Sequence, residues 1–211
     1  MRTIEQVVYR YNELSEEAKE KARDWYRSAC EFDYEYVYDD FEQICEHLGI
    51  ELDSKRGRTG PAIYFTGFWS QGDGACFEGR WRYKEGSVEA IKAWAPQDQE
   101  LARIAQTLAH LQAQYDNQLV ARVSHSDRYC HEYSVTIDVD LADWPVDEDG
   151  DELEVDLQEV EEAVSEALRD LMRWLYRKLE EDYEYRNSEE VVDEALEDLG
   201  YEFLEDGSIY N

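Results

Sequence analysis

The sequence predicts an α+β fold: an antiparallel or mixed sheet with packed helices and a long acidic C-terminal helix. Three observations carry this expectation. Apolar residues recur at three- and four-residue steps in several segments, the signature of helices with one buried face. Short alternating runs separated by glycine-rich or polar turns fill the middle of the chain, as strands do. Aromatic residues make up 13% of the chain, with 16 Tyr and 6 Trp, and only 3 residues are Pro. Such rings can bury large areas, so a packed core is expected despite the high charge.

The elements follow in order. Thr3–Tyr11 alternates imperfectly and is rich in Val, Ile and Tyr, which predicts a strand. Ser15 can cap the free amides of a helix running to about Ala29, with Glu16 and Glu17 at the positive end of its dipole. Ala18, Ala22, Trp25 and Ala29 share one face of it. A second helix, about Tyr34–Leu48, repeats the spacing with Val37, Phe41, Ile44 and Leu48, and Gly49 stops it. Ile50–Asp53, Ala62–Gly67 and Ala75–Tyr83 are expected strands. Ser87–Ala93 and Gln97–Gln114 are expected helices, the second with Leu101, Ile104, Ala105, Leu108 and Leu111 on one stripe. Ala121–Ser126 and Glu132–Val139 resemble paired strands. After an acidic linker, 147–154, a long helix from about Leu157 to Tyr185 places Leu157, Val160, Val164, Leu168, Leu171, Leu175 and Leu179 at helical steps. Ser188 can cap a last helix, Glu189–Leu199, stopped by Gly200. Tyr201–Leu204 and Ile209–Tyr210 then form a terminal hairpin with Gly207 at positive φ. The expected organisation is an α+β core over 1–139 and an acidic helical region over 140–211.

The formal net charge is −31, unevenly spread. Residues 1–53 carry −9, residues 54–137 carry +1, and residues 138–211 carry −23. Such a field repels nucleic acid and anionic membranes and attracts basic proteins. No apolar run approaches the roughly 20 residues of a membrane span. The first residues lack the apolar core of a signal peptide. The four cysteines, Cys30, Cys45, Cys76 and Cys130, form no Cys-x-x-Cys pair. Reduced thiols in a cytoplasm are therefore expected.

Two stretches carry a resemblance. One is Tyr9-Arg10-Tyr11-Asn12-Glu13-Leu14-Ser15-Glu16-Glu17-Ala18-Lys19-Glu20-Lys21-Ala22, followed by Trp25-Tyr26 and Asp33-Tyr34-Glu35. The other is Tyr64-Phe65-Thr66-Gly67-Phe68-Trp69-Ser70-Gln71-Gly72-Asp73-Gly74-Ala75-Cys76-Phe77-Glu78-Gly79. Over roughly the first 85 residues the chain resembles a group of phage and prophage accessory proteins of unassigned activity, some labelled antitoxin-like. The resemblance implies action in a bacterial cytosol and carries over no catalytic residue.

On the long helix, Glu159, Glu162, Glu166 and Asp170 follow steps of three and four, and Glu180, Glu181, Asp182 and Glu184 continue the charge. Neighbours at those steps lie about 5–6 Å apart, so a rigid carboxylate ladder could enter a groove built for phosphates. A solvated helix face is the bland alternative. An excess far beyond the net charge of about 2–8 that solubility requires favours a basic partner. Asp33, Glu35, Asp39 and Asp40, interleaved with tyrosines, form a second candidate patch.

Other motifs are weaker. The loop Phe68–Gly74 lacks the Gly-Lys-Ser/Thr of a phosphate-binding loop, and Asp73 suits a tight turn. Counting back from Gly150 puts Pro145 at the first position of a calcium loop, so Asp147–Glu152 fails that pattern. His125, Cys130 and His131 lie close in sequence, but no second ligand pair appears at zinc-site spacing. The expectation is a non-enzymatic protein with no catalytic residue, cofactor or metal. It would be a phage-encoded nucleic-acid mimic whose partner is a basic nucleic-acid-binding complex of the host, such as a CRISPR effector or restriction enzyme. Two alternatives are an antitoxin-like protein that neutralises a basic toxin and an enzyme that modifies a nucleotide signal through Asp73.

Overall fold

The computed structural model describes residues 2, 5–31, 33–55, 57, 59–126, 128–146 and 155–210. In chain order the elements are β1 (Tyr9–Arg10), α1 (Glu16–Ala29), α2 (Glu35–Leu48), β2 (Ile50–Leu52), β3 (Ile63–Phe65), β4 (Ala75–Phe77) and β5 (Gly79–Arg82). They continue with α3 (Ser87–Trp94), α4 (Gln99–Gln114), β6 (Leu119–His125), β7 (Val135–Leu141), α5 (Gln158–Arg186), α6 (Glu189–Leu199) and β8 (Glu202–Phe203). Every strand pair among the described residues is antiparallel. The chain is thus α+β, with two compact units: residues 34–179, and residues 1–33 together with 180–211.

Helix ends follow the expected chemistry. Ser15 Oγ accepts from Ala18 N, Asp98 Oδ1 from Glu100 N and Leu101 N, and Ser188 Oγ from Val191 N. Each satisfies amides that have no partner within the helix. Gly49, at φ +80°, closes α2 in the left-handed conformation that a side chain resists.

The unit 34–179 is built on a four-stranded sheet in the order β2-β5-β6-β7. Leu119 pairs with Leu141, and the ladder runs to His125 opposite Val135. Along β7, Val135, Ile137 and Leu141 are buried while Thr136 and Asp138 are exposed, so one face meets the core. Leu101, Ile104, Ala105 and Leu108 of α4 are buried in that core, as are Val164, Leu168, Leu171 and Leu175 of α5. Each buried aliphatic side chain contributes about 1.5–3 kcal/mol. Phe41 lies 5.7 Å from Phe77 and stacks on Trp174 at 6.5 Å between ring centres.

One buried polar residue completes the sheet. β5 ends where Arg82 pairs with Val120, so the next residue of β6, Leu119, has no strand on that side. The carboxamide of Gln112, 1% exposed, takes the strand's place. Its Oε1 accepts from Leu119 N at 3.1 Å and its Nε2 donates to Leu119 O at 2.7 Å.

In the other unit, β1 pairs with β8, setting Tyr9 opposite Phe203. Helices α1 and α6 bury Ala18, Ala22, Val192 and Leu196 with Tyr11, Leu14 and Phe203. Trp25 meets Tyr201 edge to face at 5.1 Å. The terminal hairpin forms as expected: Phe203 bridges Ile209 and Gly207 adopts φ +80°. A Cβ on Gly207 would stand 2.0 Å from Ala18 O, so only glycine fits.

Two expectations are corrected. Among the described residues of Thr3–Tyr11 only Tyr9–Arg10 is strand, and Tyr11–Glu13 forms a 3-10 turn, because the partner strand β8 is two residues long. The run Ala75–Tyr83 is two strands, not one: β4 pairs with β3, and β5 pairs with β2 and β6. The switch occurs at Glu78, whose N–H donates to Ala62 O at 2.9 Å and whose carbonyl accepts from Asp53 N at 2.9 Å. At Gly79 a Cβ would lie 2.5 Å from Glu51 O, a close approach that glycine permits.

Candidate acidic interface

The long-helix carboxylates divide into two kinds. Glu159 and Glu162 are exposed and hold no ion pair among the described residues. Glu166 and Asp170 are neutralised within the molecule. Arg173 Nη1 lies 2.8 Å from Glu166 and 2.7 Å from Asp170, and Arg103 lies 2.7 Å from Asp170. Arg173 also donates to Glu132 at 3.1 Å and to Tyr133 Oη at 3.0 Å. Burial pulls its pKa down, but the carboxylates outweigh burial and the guanidinium is held more firmly charged than usual. This part of the stripe is a network around one arginine, with less charge left for a partner.

Further along, Glu180 is half-buried, Asp182 pairs with Arg186 at 2.8 Å, and Glu181 and Glu184 are exposed. In the second patch, Asp33, Glu35 and Asp39 are exposed, while Asp40 accepts from Trp94 Nε1 at 2.9 Å. Burial, then the neighbouring Asp39 charge, raises the Glu42 carboxyl. The acidic linker 147–154 lies outside the described residues.

An uncompensated stripe stands on α6. Glu190, Glu194 and Glu197 follow steps of four and three and are all exposed, with Glu189 and Asp198 exposed beside them. Glu190, Glu194 and Glu197 have no ion pair among the described residues. The reason is compositional: residues 180–211 contain 13 acidic side chains and one basic one, Arg186. The same signal is present in the sequence, since α5 sets Arg169 and Arg173 beside its acids whereas α6 has no basic residue.

The glycine loop is a β3–β4 turn. Asp73 Oδ2 accepts from Trp69 N at 2.8 Å and from Ser70 N at 2.6 Å. Thr66 N donates to Gly74 O at 3.3 Å. Asp73 is committed to backbone amides, as a turn residue is.

Of the His and Cys residues near position 130, His131 turns away, its Nδ1 accepting from Tyr133 N at 3.1 Å. His125 and Cys130 instead meet Cys76 of β4, with one ligating atom of each within 4.8 Å of the others. Sequence spacing missed Cys76 because strand packing, not chain proximity, delivers it.

The fold and surface define an acidic α+β protein with antiparallel sheets. By its match to a family model over residues 34–200, the chain belongs to the family described as Domain of unknown function (DUF8835). No curated protein and no solved structure matches it. Among the described residues, no helix is long and apolar enough to cross a membrane.

Proposed function

We propose that the protein is a phage-encoded, non-enzymatic inhibitor that mimics nucleic acid in the bacterial cytoplasm. Its partner is a basic nucleic-acid-binding defence complex of the host, a CRISPR effector or a restriction enzyme. The observation that carries this reading is the exposed, uncompensated stripe Glu190, Glu194, Glu197 on α6. A helix rises about 1.5 Å per residue, so these carboxylates recur about every 5 Å along its axis. A DNA strand presents a phosphate about every 3.4 Å. A helix holds that array in place, so a phosphate-binding groove can accept it without first ordering it. The exposed Glu159 and Glu162 of α5 add to the field. The ion-paired Glu166 and Asp170 contribute less, since their charge is already met by Arg173 and Arg103.

The test is inhibition of DNA cleavage by such a complex. The triple variant Glu190→Lys, Glu194→Lys, Glu197→Lys is compared with the double variant Glu166→Gln, Asp170→Asn. Inhibition lost in the first and kept in the second supports the reading. Undiminished inhibition by the triple variant ends it. A stoichiometric complex with one small basic toxin would favour the antitoxin-like alternative.

A further inference from the structure

Strand β4 brings Cys76 beside two side chains far along the chain, His125 of β6 and Cys130 of the loop that follows. Cys76, in the middle of β4, is fully buried, and Cys130, in the loop after β6, is 6% exposed. His125, the last residue of β6, is half-buried. Their ligating atoms lie within 4.8 Å of one another. A tetrahedral zinc ion, with Zn–S about 2.3 Å and Zn–N about 2.0–2.1 Å, holds its ligand atoms about 3.5–3.8 Å apart. Closing the set therefore asks for about 1 Å of side-chain movement.

The surroundings suit metal ligation. His125 Nε2 lies 2.7 Å from Tyr129 O. A carbonyl only accepts, so Nε2 carries a proton and Nδ1 is the nitrogen that a metal could take. Metal-bound histidines commonly fix their second nitrogen by such a carbonyl contact. The ring is also held against Tyr64, with centres 4.7 Å apart. Beside the cluster, the Ser134 hydroxyl donates to His131 O at 2.7 Å. A cysteine pair meant only for a disulfide needs no imidazole beside it. Two sulfurs with one nitrogen favour zinc over the hard, oxygen-seeking cations.

We propose that Cys76, His125 and Cys130 form a zinc site in the unit 34–179, with solvent or an outside ligand in the fourth tetrahedral position. Three protein ligands are the number found in open zinc centres, where the fourth position is exchangeable. On binding, both thiols release their protons to solvent and ligate as thiolates.

The experiment uses the full chain, reduced and stripped of metal with a chelator, then titrated with Co(II) and Zn(II). One equivalent of Co(II) is expected to give a thiolate-to-metal charge-transfer band and intense tetrahedral d–d absorption. One equivalent of Zn(II) should abolish both. Cys130→Ser and His125→Ala are each expected to weaken zinc binding by more than the about 10–100-fold typical of residues that only support a ligand. Cys30→Ser should bind as the unaltered chain does. Because Cys76 is packed in the core, the unaltered chain's Co(II) spectrum decides the matter without a Cys76 variant. A chain that takes up no Co(II), or shows no charge-transfer band, overturns the proposal. So does full binding by Cys130→Ser, or a Cys76–Cys130 disulfide that forms in air as fast with zinc as without it.

Discussion

Arg23 grips Asp193 with two parallel hydrogen bonds, Nε to Oδ1 at 2.6 Å and Nη2 to Oδ2 at 2.8 Å. The arginine is 6% exposed, and its charge is met inside the small unit by a residue 170 positions away. The Tyr11 hydroxyl donates to the same carboxylate, and Glu20 bonds to the arginine's remaining nitrogen. This network fixes α1 on α6 in one geometry, since a bidentate pair tolerates little sliding.

Removing one partner should therefore cost more than an ordinary surface pair. Asp193→Ala leaves a buried guanidinium and a buried phenol short of their acceptor. About 2–3 kcal/mol is expected, below the about 3–5 kcal/mol of a fully enclosed pair because water reaches the carboxylate. The urea midpoint measures it, and a loss within about 0.5 kcal/mol would show that the pair is not structural.

The same network sets a pH window. Hydrogen bonding from Arg23, then from Tyr11, holds the Asp193 carboxyl below its ordinary value. A depressed carboxyl stabilises the fold above its unfolded pKa of about 3.9, and this is lost as pH falls through the lower folded value. Burial, then the bond to Asp193, raises the Tyr11 phenol. Its stabilisation is complete below the unfolded pKa of about 10 and is lost as pH rises through the folded value. The urea midpoint should hold level between about pH 4 and 10 as far as this network is concerned, and Tyr11→Phe should remove its contribution to the alkaline fall.

In the larger unit, Gln112→Leu should be among the costlier single changes. It keeps the volume roughly constant but strips Leu119 of partners for both its N–H and its carbonyl. At about 1–3 kcal/mol for each of the two buried unsatisfied groups, about 2–6 kcal/mol is expected by urea unfolding.

The partner binding proposed for the acidic helices should depend steeply on salt. Raising ionic strength from about 0.01 to 0.1 M shortens the screening length from about 30 to 10 Å. A drop in affinity of at least about tenfold over that range is expected, arising mainly from slower association. Calorimetry or surface binding at the two salt levels checks this, and salt-independent affinity would argue against a charge-led contact.

Most helices were legible because their stripes obey one local rule. Leu101, Ile104, Ala105 and Leu108 declare a buried face, and all four are buried. Strands were less legible where pairing is decided at a distance. Nothing local in Ala75–Tyr83 says that Glu78 will pass the chain from one sheet to another, since that depends on Ala62 and Asp53. Tyr9 is strand only because Phe203 lies opposite it. The acidic character of the C-terminal third was plain, as was the lack of basic residues on α6, but which carboxylates of α5 are paired was not. Arg103, on α4, reaches Asp170 across the fold, and no helical spacing on α5 reveals it. Cys76 joined His125 and Cys130 for the same reason.

The pairing of Tyr9 with Phe203 spans 194 positions, and it orders events during synthesis. At about 5–20 residues per second, the ribosome takes about 10–40 s to deliver the strand that the first segment awaits. Through that interval α1 has no α6 to cover Ala18 and Ala22. The segment 9–29 is therefore open to chaperones and proteases until α6 and Phe203 have emerged.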